Sequence, residues 1–149
     1  MTRFATLIMV AGTMLATSPV FAQAKPEVLV KQRQAAMTLV GKYWGPTNAM
    51  AQGKAPYDAN VAARNAGYLQ ALAQMPWDGF AESTKDTPEK TRALPAIWAE
   101  PAKFKEAAER LQSATAKLAA AAKDEGAFKA AAGEVGKSCG ACHNDFRAK

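Results

Sequence analysis

The sequence predicts an all-α fold, an antiparallel four-helix bundle, from three observations. The chain is rich in alanine with abundant lysine and glutamate, a composition that suits helices and suits strands poorly. Apolar residues recur at spacings of three, four and seven in four separate segments. A single stretch punctuated by proline and glycine parts the second segment from the third, as the long connection of a bundle would.

Residues 1–22 stand apart from this pattern and read as a cleaved signal peptide. Arg3 supplies the positive start, Leu7 to Leu15 a short apolar stretch broken by Gly12 and Thr13, and Pro19 precedes the small-residue pattern Val20-Phe21-Ala22. Cleavage after Ala22 is expected, although Ala22-Gln23-Ala24 permits a cut two residues later. It leaves residues 23–149 as one domain of 127 residues and removes one charge, Arg3, from the whole-chain net of +6, giving +5. No later stretch is long and apolar enough for a membrane span, so a soluble, periplasmic product without stable membrane insertion is expected. Lys and Arg are scattered among acids at helical spacing, which argues against nucleic acid and for a solvated surface that meets acidic redox partners.

The first helix is predicted from about Glu27 to Ala51, carrying Val30, Met37, Val40 and Trp44, with a bend where Pro46 follows Gly45. The second begins at Asp58 as N-cap and places Val61, Asn65, Tyr68, Leu72 and Met75 on one stripe, ending before Pro76. From about Met75 to Ala99 the period is lost among Pro76, Gly79, Pro88 and Pro95, and the chain is predicted to cross over. The third helix follows Pro101, a good first-turn residue, with Phe104, Ala108, Leu111, Thr115, Leu118 and Ala122 on its apolar face. The fourth follows Gly126 and displays Phe128, Ala132, Val135, Cys139, Cys142 and Phe146.

That last stripe contains Cys139-Gly140-Ala141-Cys142-His143, which holds both cysteines and the sole histidine of the chain. Cys-x-x-Cys-His is the attachment signal for c-type haem: two thiols add to the porphyrin vinyl groups and the adjacent imidazole is left to bind iron. On a helix the three residues are related by i+3 and i+4 and project from one face. A disulfide, a thioredoxin-like pair and half of a zinc site are the duller readings. Zinc wants four N or S ligands where three exist, and the redox pair wants βαβ flanks that are absent. An export signal favours haem. Because the motif lies on a core-facing stripe, one covalently attached haem c is expected within the bundle, where alanines leave room for it. The haem-free chain then has an under-filled core and should pack poorly.

Several stretches carry a family resemblance. They are Lys25-Pro26-Glu27, the run Arg33-Gln34-Ala35-Ala36-Met37-Thr38-Leu39, Gly53-Lys54-Ala55-Pro56-Tyr57-Asp58, Met75-Pro76-Trp77-Asp78-Gly79-Phe80, Thr91 to Trp98, and Val135 to Arg147. Together they closely resemble cytochrome c′, the class II c-type cytochromes, over essentially the whole mature chain. A motif near the C-terminus separates them from the small class I cytochromes. Cytochrome c′ is itself one of the proteins on which the bundle packing rule rests, so fold and resemblance are one argument here.

The resemblance implies roles for ten residues. Cys139 and Cys142 become the thioether anchors and His143 the axial iron ligand. Arg33 and Gln34 match a first-helix pair that touches the haem and its propionates, and Met37 matches the position over the distal face. Trp77 and Phe80 match an aromatic pair near that pocket, Arg92 a further haem contact, and Arg147 the basic residue beside the proximal imidazole. Each has another reading: Arg33 as a solvated helix charge, Arg147 as a partner of the helix dipole, Trp77 and Phe80 as core aromatics. Arg33 lies at i−4 from Met37, on the same face, which favours a propionate partner.

The sixth iron position separates the functions. With His143 used, Met37, Met50 and Met75 are the other strong-field candidates, and Met37 is the one placed to reach. A bound sulfur gives low-spin iron and an electron carrier; a sulfur that only packs gives high-spin, five-coordinate iron. The resemblance favours the second, hence electron transfer together with binding of nitric oxide and carbon monoxide. Dioxygen wants a distal hydrogen-bond donor, which a chain with one histidine does not offer. Peroxidase-type catalysis lacks a distal acid–base group for the same reason, so the protein reads as no enzyme. Members of the family usually form homodimers through the first two helices, and Trp44, Tyr57 and Tyr68 are candidate interface aromatics.

Overall fold

The structure, a computed structural model, describes residues 24–149; the predicted signal peptide lies outside the described residues. Five α-helices follow in order: α1 Pro26–Ala51, α2 Ala59–Leu72, α3 Ala96–Ala99, α4 Pro101–Ala121 and α5 Glu125–Phe146. The four long ones form the bundle. α4 packs most extensively on α5, while α1 lies against α2 and α5, and α2 against α4.

Local chemistry fixes where the helices begin. Pro26 and Pro101 occupy the first helical positions of α1 and α4, where a missing N–H costs nothing. Asp58 caps α2 by accepting from the N–H groups of Asn60 and Val61 at 2.8 and 3.0 Å. Asp124 does the same for α5 at Ala127, 2.7 Å away, so this helix starts at Glu125, one residue ahead of Gly126. α1 continues through Pro46 and ends near Gly53, whose φ of 70° is the left-handed value glycine tolerates.

The buried face of α2 differs from the expected stripe. Ala62, Asn65, Ala66, Leu69 and Leu72 are buried, whereas Tyr68 is 46 % and Met75 59 % exposed. Leu69 faces the core in place of Tyr68, since alanines at 62 and 66 turn the narrowest side of the helix inward. Met75 falls beyond the helix end at Leu72.

The crossover is more regular than its sequence suggests. It contains 3₁₀ turns at Trp77–Phe80 and Glu82–Thr84 as well as α3. Indole N–H groups hold it: Trp77 donates to the Ala73 carbonyl at 2.7 Å and Trp98 to that of Phe80 at 3.0 Å. Its end pairs with the C-terminus through an antiparallel bridge between Ala93 and Arg147.

Two apolar clusters result. The larger contains Met50, Leu69, Leu118, Phe128 and Val135. A smaller one, built on Ile97, Ala107 and Phe146, lies where the crossover meets α4 and α5. Of the three aromatics considered for an interface, Tyr57 closes the monomer core, packing on Phe128 and donating to the Ala122 carbonyl at 2.8 Å. Trp44 is half-buried against Gly136 of α5. Tyr68 is the exposed one, 4.7 Å from Tyr43 between ring centres.

Candidate functional site

α5 projects Cys139, Cys142 and His143 toward a cavity of about 900 Å³, at the upper end of the range of roughly 300–1,000 Å³ for small-molecule sites. Its walls come from α1, α4, α5 and the crossover; α2 contributes none. Both cysteines are free thiols, half-buried, and burial pushes each pKa upward, with Asp145 adding to the effect at Cys142. The imidazole of His143 is held below its ordinary pKa, first by desolvation and then by the positive charges of Arg147 and Arg92. It is therefore neutral near pH 7, the form that ligates metal. Arg147 reaches its Nδ1 at 3.3 Å, which leaves Nε2 facing without a hydrogen-bond partner.

Beside Cys142 the cavity wall is aromatic. Phe104 stands edge-on to Phe80, Trp77 and Phe146 at 4.9, 5.9 and 5.2 Å between ring centres. From α1, Met37 lines the cavity half-buried, whereas Met50 is in the large core cluster and Met75 is on the surface. Structure thus selects Met37 among the three methionines.

Arg33 is both a cavity residue and a structural tie. It lines the cavity yet is only 3 % exposed, and its guanidinium lies 4.5 Å above the Phe80 ring. It donates to the Gly79 carbonyl, to Thr84 Oγ1 at 3.3 Å and to Thr91 Oγ1 at 3.0 Å, so most of its donors tie α1 to the crossover. Burial lowers its pKa from the usual value. It is no solvated charge. Gln34 likewise donates to the Lys90 carbonyl at 2.9 Å. Arg92 uses Nε on the Ala148 carbonyl at 3.2 Å, beside Arg147.

All ten residues singled out from the sequence line this one cavity. Sequence reasoning missed Phe104, Phe146, Ile97 and Lys90 as wall residues. Phe104 and Phe146 were on predicted apolar stripes, the latter four residues after Cys142, but nothing in the period shows which end of a stripe faces a cofactor. Ile97 and Lys90 are in the crossover, where no period exists.

The donor set fits a haem. Two thiols and a neutral imidazole share one helix face, an aromatic wall packs beside them, and Arg33, Lys90, Arg92 and Arg147 line the cavity with no carboxylate among them, as propionates require. Ser138 Oγ is buried against the cavity without a hydrogen-bond partner, a polar atom that protein groups alone leave unsatisfied.

Comparison with known proteins agrees. A family model described as Cytochrome C' matches residues 28–147. Cytochrome c' of Rubrivivax gelatinosus is 43 % identical over 127 residues, covering 84 % of this chain and 98 % of its own. Its crystal structure superposes with a TM-score of 0.80 at 43 % identity, over 83 % of this chain and 98 % of that one. A nitric oxide complex of a cytochrome c prime variant from Alcaligenes xylosoxidans gives a TM-score of 0.76 at 41 % identity, over 85 % and 98 %. With the family model matched over residues 28–147 and these relatives covered over nearly their full length, the chain belongs to the cytochrome c′ family and is a c′-type haem protein.

Proposed function

We propose that the protein carries one haem c bound through Cys139 and Cys142, with His143 as axial ligand, and that it binds nitric oxide and carbon monoxide and transfers electrons in the periplasm. The observation that carries this reading is the single cavity shared by the motif and Met37, with no second imidazole in the chain. Haem bound there supplies a one-electron couple and an iron site for a small ligand.

The residues around it divide the work. His143 in its neutral form presents Nε2, while Arg147 at Nδ1 orients the ring. Met37 lines the same cavity with a flexible thioether that would narrow a haem site to small apolar ligands. The aromatic wall of Phe80 and Phe104 excludes water. Arg33, the one buried cation among the described residues, has most of its donors engaged with Gly79, Thr84 and Thr91, which leaves it poorly disposed for the acid–base work of a peroxidase. The nitric oxide complex of the Alcaligenes relative supports gas binding by kinship.

Met37 at the cavity also supports a second reading, a low-spin His/Met electron carrier. Ferric absorption and electron paramagnetic resonance spectra of the holoprotein decide between them. A high-spin spectrum that changes with nitric oxide, and a Met37→Ala variant that stays high-spin while binding gas faster, are expected. A sulfur-to-iron charge-transfer band that disappears in Met37→Ala overturns the five-coordinate reading. The exposed Tyr68 on α2, packed beside the half-buried Tyr43 of α1, supports the homodimer, checked by sedimentation at several concentrations.

A further inference from the structure

We propose that the rim of the cavity is a docking surface for an acidic electron-transfer protein, engaged through Lys90, Arg92 and Arg147. This rests on the haem reading above and names the class of partner that the same site meets.

Arg33, Lys90, Arg92 and Arg147 line the cavity and no carboxylate does. Among the described residues none of the four makes an ion pair, although many other lysines and arginines do. Carboxylates adjacent in sequence are already engaged: Glu89 by Lys31 at 3.2 Å and Asp145 by Lys103 at 3.1 Å. Arg33 is buried and committed to the crossover, whereas Lys90, Arg92 and Arg147 are exposed.

The fold builds this cluster deliberately from distant parts of the chain. Arg92 and Ala148 are 56 positions apart, yet the Ala148 N–H donates to the Arg92 carbonyl at 2.8 Å and the Leu94 N–H to that of Phe146 at 3.0 Å. Gln34 fixes the Lys90 carbonyl from α1. The two propionates of a haem would offset at most two of the four charges, so the exposed side chains lining the cavity keep a positive excess. Exposed rim charges act mainly on association rate and register, which suits a transient encounter between redox proteins.

The test uses holoprotein in three forms: native, Lys90→Glu, and Lys54→Glu. The last makes the same change in net charge beyond the far end of α1, about 26 Å along that helix from Gln34. Ferrous protein is mixed with hexacyanoferrate(III), an anionic oxidant that takes the one electron the haem loses, or with the cationic oxidant tris(phenanthroline)cobalt(III). At low salt Lys90→Glu is expected to slow the anionic reaction by about threefold or more relative to Lys54→Glu, with the gap closing as salt is raised and the order inverting for the cationic oxidant. Added polyaspartate should compete in the native protein and in Lys54→Glu but not in Lys90→Glu. Equal rates in the two variants overturn the proposal, leaving net charge as the cause; competition-free kinetics with polyaspartate also overturn it, in favour of a site for small anions. The haem spectrum and nitric oxide binding are recorded for each variant. Their persistence shows that a failed docking test leaves the haem reading intact, and colourless protein at the outset shows the reverse.

Discussion

Gly79 owes its place to Arg33. A Cβ on Gly79 would stand 2.5 Å from Arg33 Cβ and 2.8 Å from the Leu29 carbonyl oxygen, so the crossover comes this close to α1 only with glycine there. Gly79→Ala is expected to destabilise the holoprotein by about 1–3 kcal/mol, measured by urea unfolding. The same contact explains why Arg33→Ala should cost at least about 2 kcal/mol, because the Gly79 carbonyl and Thr84 hydroxyl lose a charged donor. His143 gives a pH prediction. Its folded pKa lies below the unfolded value of about 6.5, so the unfolded chain binds more protons between the two values and stability rises with pH there. This contribution is present above about pH 6.5 and is lost as pH falls through the window. In haem-free protein that keeps helix α5, nuclear magnetic resonance should show the His143 imidazole titrating below the free value, and Arg147→Gln should raise it, since Arg147 is one of the causes.

At the scale of elements, caps and prolines were readable where side chains act on their own backbone. Asp58 was legible as a cap because its carboxylate needs only the next few N–H groups. Asp58→Ala should cost about 1 kcal/mol in thermal unfolding while Asp58→Asn costs little, since asparagine caps as well. The face of α2 was read one position off because tyrosine and leucine both satisfy an apolar period, and which of them enters the core depends on the small residues opposite. Order in the crossover was not legible at all. Its structure comes from Trp77, Trp98 and Arg33 reaching carbonyls and hydroxyls of other segments, contacts that leave no periodic trace.

For the whole molecule, the cavity of about 900 Å³ is lined from both apolar clusters and is far larger than the water-sized voids of a close-packed interior. Protein expressed without haem attachment is expected to show weak near-ultraviolet dichroism and a broad thermal transition, whereas holoprotein unfolds cooperatively. A haem-free transition as sharp as that of the holoprotein would count against a core built around the cofactor.

By itself the sequence determined the helical class, the cap at Asp58, the proline start at Pro101 and the shared face of Cys139, Cys142 and His143, because each depends on residues within a turn or two of one another. Tertiary structure alone decided that Arg33 is a buried tie to the crossover, that Lys90 joins the cavity wall, and that Arg92 and Arg147 stand together. Those outcomes depend on segments distant in the chain being brought into contact by burial and by hydrogen bonds between loops, and neither has a signature in local periodicity.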